Sequence, residues 1–159
     1  MIIINQAATD NAIDLFCLGI TFTSKPLVVG GLAMEYYGLR KRGEDIDLII
    51  TNEDYQTLAN KYPERKIIMD DFGVKIGQYE IWRSLSRLDY EFYSEEAIEY
   101  ESYKVISFVR LFFMTAAAVR SEPEIQKHQD DFGLALGWYY NNFRNKDYVA
   151  DAESHSRSM

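Results

Sequence analysis

The chain contains a single cysteine, Cys17, among 159 residues. No internal disulfide can form, and a reducing compartment fits, so a cytoplasmic location is expected. Cys17 itself is expected to be a small buried apolar residue. Histidine is scarce too, with two residues. His128 has no second His or Cys near it, which argues against a zinc site, and no Ser-His-Asp arrangement can be assembled. Positive charge is in deficit, with 17 Lys and Arg against 25 Asp and Glu and a net charge of −8. Broad nonspecific binding of nucleic acid needs a basic surface, so it is disfavoured; a local basic groove is not. No apolar run approaches the ~20 residues of a membrane span. The opening MIIINQAATD lacks the basic segment of a signal peptide. Neither GxxxxGK[ST] nor GxGxxG occurs, and there is no internal repeat or low-complexity segment.

What is present is an ordinary globular composition, 47% apolar and 14% aromatic, with twelve tyrosines. The length suits one domain with a core of its own. Its organising stretch is Pro26 to Ile50, PLVVGGLAMEYYGLRKRGEDIDLII. Leu27, Val28 and Val29 read as a short buried strand. Gly30 and Gly31 permit a tight turn and a close backbone approach to a ligand. A helix follows from Leu32, with Gly38 suited to its C-terminal end. Arg40, Lys41 and Arg42 form a basic corner, and Glu44 to Ile50 reads as a second strand. Residues two apart in a strand share a face, so Asp45 and Asp47 are expected side by side, with Ile46 and Leu48 behind them. Adjacent carboxylates repel, and a divalent cation such as Mg²⁺ relieves that repulsion. The alternative is a solvated strand end carrying two surface acids.

The order strand, Gly-Gly, helix, basic turn, DIDL resembles the nucleotidyltransferase-like superfamily of the polymerase-beta type. The branch it most resembles is that of small bacterial proteins related to abortive-infection nucleotidyltransferases. Gly30 and Gly31 match the family's glycines, and Asp45 and Asp47 its acid pair. Gly43 stands where the family usually has threonine, and Lys41 where it has arginine; Arg40 and Arg42 flank that place. The resemblance implies a mixed α/β fold with a largely antiparallel sheet, packed helices and a C-terminal helical pair. It implies an Mg²⁺- or Mn²⁺-dependent enzyme moving a nucleoside monophosphate from a triphosphate to a hydroxyl acceptor: RNA, a protein or a small molecule. It further implies Asp45, Asp47 and Asp89 as catalytic metal ligands, with Glu91 as the alternative third acid. Gly30, Gly31, Arg42 and Lys127 are then the nucleotide-binding residues. The other reading is a degenerate nucleotide-binding or protein-interaction module, a toxin–antitoxin component among them, with a partner protein or a second copy.

The remaining chain is read in order. Thr9 or Asp10 is expected to cap a helix through Leu18, burying Ile13, Leu15, Phe16 and Leu18. Thr51 or Asn52 caps a helix to about Lys61, which ends before Pro63. Lys66–Met69, Val74–Gly77, Tyr79–Leu85 and Leu88–Tyr93 read as strands, with a turn at Asp70, Asp71 and Gly73. In the last strand Asp89 and Glu91 would share a face. From Tyr103 an apolar run, VISFVRLFFMTAAAV, reads as a buried helix ended near Pro123. A second helix spans Glu124 to about Phe143. The resemblance matches Arg120 to an arginine at the end of the first helix and, in KHQDD, Lys127, Asp130 and Asp131 to the element that follows, while the family's first-helix lysine is replaced by Met114 or Thr115. Lys127 and Asp131 also suit a surface pair on one helix face. The expected division is a core over 1–100, the helical pair over 101–144, and a disordered tail over 145–159.

Overall fold

The structure, a computed structural model, describes residues 4–68 and 71–143. Met69, Asp70 and the 145–159 tail, all assigned a role above, lie outside the described residues.

Strand β1 (Leu27–Val29) is wholly buried, as an unbroken Leu-Val-Val run requires. It turns directly into helix α2 (Gly30–Tyr36). Gly38 closes that helix at φ +72°. Its N–H donates to the Glu35 carbonyl and the Leu39 N–H to the Met34 carbonyl, both at 2.9 Å, which is the glycine-dependent Schellman pattern. Strand β2 (Ile46–Ile49) returns antiparallel to β1. Helix α3 (Asn52–Lys61) follows, capped by the Thr51 hydroxyl. Three strands complete this side: β3 (Lys66–Ile68), β4 (Phe72–Ile76) and β5 (Tyr79–Trp82). On the other side of β1 come β8 (Ile98–Glu99) and β9 (Lys104–Val105). The order is β3-β4-β5-β2-β1-β9-β8, with only β1–β9 and β2–β5 parallel. The fold is therefore α/β with a mixed, largely antiparallel sheet, as expected. A separate hairpin pairs β6 (Ser84–Leu85) with β7 (Leu88–Asp89).

Three local expectations are corrected. The first helix, α1 (Gln6–Ala12), starts at an Asn5 cap and stops early. Asp14 then caps a separate 3₁₀ turn over Leu15–Leu18. This split buries Leu18 but leaves Phe16 95% exposed, and Cys17 is exposed too. The expected Leu88–Tyr93 strand ends after two residues and becomes helix α4 (Tyr90–Tyr93), because the Asp89 carboxylate accepts the Phe92 N–H as an N-cap. Tyr90 and Tyr93, three apart, then both face the core. Finally, Lys104–Val105 joins the sheet, so the first helix of the C-terminal pair, α5, begins at Phe108 and runs to Ser121. Despite its apolar sequence, α5 is buried on one face only: Phe108 and Leu111 are covered, Val109 and Phe113 exposed. Helix α6 (Gln126–Phe143) packs on it through Trp138, whose ring centre lies 3.8 Å from that of Phe108.

Candidate active site

The junction of β1 and α2 faces a cleft of about 790 Å³ whose far wall is the α5–α6 pair. Its floor is set by the register of the sheet. Asp47 stands opposite Val29 on β1 and opposite Glu80 on β5, and Glu80 stands opposite Lys75 on β4. Side chains paired this way project from the same face. Asp47 and Glu80 are thus neighbouring carboxylates on adjacent strands.

Gly30 makes room for this arrangement. It sits at φ +61°, and a Cβ there would fall onto the Asp47 carboxylate. No L-residue with a side chain satisfies both conditions. Gly31 is different: its φ is ordinary, and a Cβ would lie 3.4 Å from the Arg40 guanidinium. Gly30 is the conformational glycine, and Gly31 spaces the helix start from Arg40.

Burial pushes the Asp47 carboxyl up to about 7, aided by the Glu80 carboxylate beside it. Two groups act the other way: the Trp82 indole N–H, which donates to Asp47 Oδ1 at 3.4 Å, and the charge of Lys127. Trp82 is itself seated on Gly73, where a Cβ would come within 2.6 Å of the indole ring.

Of the expected site residues, the structure gathers Gly30, Gly31, Asp47 and Lys127 around this cleft. It does not bring the others there. Asp45 precedes β2 rather than lying in it, so alternation does not reach it; it is exposed and ion-paired to Lys75 Nζ at 2.9 Å. Lys75 also reaches Glu80 at 3.4 Å, standing between the two acids. Asp89 is spent on the α4 cap, and Glu91 lies in the first turn of that helix. Arg42 donates to the nearby Gly43 and Glu44 carbonyls, at 3.3 and 3.5 Å, and does not line the cleft. Arg120, in the last turn of α5, is exposed and not part of the cleft wall. Met114 and Thr115, where the family has its lysine, do line the cleft. Among the described residues no group of three His, Cys, Asp or Glu is placed to hold a metal ion.

Sequence reasoning missed Glu80, Trp82 and the role of Arg40. The signal for the first two lay in Tyr79-Glu80-Ile81-Trp82, where Tyr79 and Ile81 are buried and Glu80 and Trp82 share the opposite face. Arg40 grips Asp131 through two parallel hydrogen bonds, Nε–Oδ1 at 2.7 Å and Nη2–Oδ2 at 3.0 Å. This bidentate pair ties the basic corner to α6 across the cleft. Asp131 therefore serves Arg40, while Asp130 accepts from Gln126 at 2.8 Å.

No family model matches the chain, and no curated protein matches it. Among solved structures it is similar to the crystal structure of ANT(2")-Ia in complex with adenylyl-2"-tobramycin. The TM-score is 0.48 at 20% identity, covering 97% of this chain and 94% of that one. No helix among the described residues is long and apolar enough to cross a membrane.

Proposed function

We propose that this chain is a nucleotidyltransferase, moving a nucleoside monophosphate from a nucleoside triphosphate to a hydroxyl acceptor in the Asp47 cleft. One observation carries the reading. Asp47 and Glu80 stand in register at a strand–glycine–helix junction, and Gly30 lacks a side chain where Asp47 needs the space. This is the resemblance of the DIDL stretch expressed as geometry, with Glu80 in place of Asp89 as the second-strand acid.

The pair fits a hard divalent cation. Both groups are carboxylates, and burial and the neighbouring Glu80 make Asp47 resist ionisation, a cost that a bound cation would offset. Asp47 and Glu80 would hold Mg²⁺ or Mn²⁺. Such an ion supplies charge neutralisation on the phosphates and a more acidic attacking hydroxyl. The chain's own residues do the rest. Lys127 brings positive charge to the cleft. Trp82 fixes one oxygen of Asp47 and leaves the other directed at Gly30. The Arg40–Asp131 pair holds α6 against the core, so that the reacting groups meet in a walled site.

A second reading keeps the fold without the transfer. The position of Lys75 between Asp45 and Glu80, and the missing first-helix lysine, favour it. The exposed Leu136, Tyr139 and Phe143 on α6 suit the partner-binding form of that reading. Incubation with each labelled nucleoside triphosphate, Mg²⁺ and a cell extract decides between them. A labelled product that Asp47→Asn does not form supports transfer. Nucleotide binding with no product under any of these conditions establishes the second reading.

A further inference from the structure

The β6–β7 hairpin forms one lip of the cleft. Its turn residues, Ser86 and Arg87, both have positive φ, at 52° and 63°. A two-residue hairpin turn of this kind is normally Asn-Gly or Asp-Gly, because side chains there are strained. Here neither residue is Gly, Asn or Asp, yet the turn is held firmly. The Asp71 carboxylate accepts from the Ser84 hydroxyl at 3.0 Å, from the Ser86 N–H at 3.0 Å and from the Arg87 N–H at 3.1 Å. From the other side the buried Tyr93 hydroxyl donates to the Leu85 carbonyl at 2.9 Å.

The Arg87 side chain gives the fold nothing in return. Among the described residues it takes part in no ion pair, and neither does Lys127, although both line the cleft. Three of the acids around them are engaged elsewhere: Asp131 by Arg40, Asp71 by the turn, and Glu122 by His128 at 3.5 Å. The fourth, Asp47, feels the charge of Lys127 without forming an ion pair with it. An arginine on a braced turn at the edge of a cleft, with a second cation on α6, is arranged to receive an anion.

We propose that Arg87 binds the phosphate tail of the nucleoside triphosphate from the hairpin side, while Lys127 binds it from α6. This deepens the nucleotidyltransferase reading and rests on it for the identity of the ligand. The braced turn fixes the Arg87 backbone at the cleft edge, from which its exposed side chain can reach into the cleft.

The test titrates inorganic tripolyphosphate and Mg²⁺–ATP into the wild type, Arg87→Asn, Arg87→Lys and Ser86→Gly by calorimetry, with a melting curve for each. Asn tolerates the left-handed conformation, so Arg87→Asn keeps the turn. It should melt at or above the wild-type temperature and bind tripolyphosphate about tenfold more weakly, the usual cost of one charged hydrogen bond. Arg87→Lys should recover part of the loss. Ser86→Gly should melt higher and bind as the wild type does. Wild-type affinity in Arg87→Asn overturns the inference, as does weaker binding that follows a fall in melting temperature and is not relieved by lysine. If the wild type binds neither ligand, this inference and the transferase reading fall together. If it binds both through Arg87 but forms no product, only the transfer step falls.

Discussion

Two acidic triplets of the same kind, Asp45-Ile46-Asp47 and Asp89-Tyr90-Glu91, are treated by the fold in opposite ways. The first lies where β2 is sandwiched between β1 and β5. There the sheet imposes alternation from Ile46 onward, and Asp47 is forced over the cleft beside Glu80. The second lies at the end of a two-stranded hairpin with no further neighbour to extend it. There Asp89 caps a helix turn and the alternation is lost. Of the four acids only Asp47, held in register by strands on both sides, reaches the cleft.

Changes at the two places should therefore differ in kind. The largest effect is expected at Gly30. Gly30→Val puts a β-branched residue at φ +61° with its Cβ on the Asp47 carboxylate. Denaturant unfolding should show a loss on the order of 3 kcal/mol, and the rise in melting temperature on adding Mg²⁺ and triphosphate should vanish. Retention of both would remove Gly30 from the site. At the second acid pair, Asp89→Ala should cost about 1 kcal/mol as a lost helix cap while leaving that ligand-induced rise intact. A vanished ligand response in Asp89→Ala would restore Asp89 to the site. The smallest change belongs to Asp45→Asn without ligand. It breaks an exposed ion pair with Lys75 and should shift stability by less than about 0.5 kcal/mol. A larger loss would show that Lys75 is locked in place by Asp45.

Much of this was legible in the sequence, and the failures share one cause. The β1–α2–β2 unit, its glycines, Asp47 and the helical pair could be read because each depends on local pattern: an apolar triplet, Gly-Gly, a period of two. Pairing partners could not. Glu80 matters because β5 lies beside β2, and nothing within Tyr79–Trp82 states that neighbour. Asp131 looked like half of a surface pair with Lys127, and its real partner, Arg40, is 91 residues away. Asp54 lies in the first turn of α3, and its distant partners could not be read either. It is buried and accepts from the Thr23 N–H and hydroxyl at 3.0 Å, pinning the segment before β1. Phe16 shows the reverse error, a helical stripe assumed to continue across the Asp14 cap that ends it.

Asp47 is a partly buried acid beside a second carboxylate, Glu80. Its raised pKa means that the folded state holds this proton more tightly than the unfolded chain does. The contribution of Asp47 to stability must then fall as pH rises from the ordinary aspartate value of about 4 to about 7, and level off above. The decisive measurement is the unfolding free energy of wild type and Asp47→Asn across that range, each with and without Mg²⁺ and triphosphate. The account predicts that the difference between the two proteins shifts steadily in favour of Asp47→Asn as pH rises, that the variant is at least as stable as wild type at pH 8, and that only the wild type gains stability from the ligands. A pH-independent difference between the two proteins, with equal ligand stabilisation in both, would contradict it.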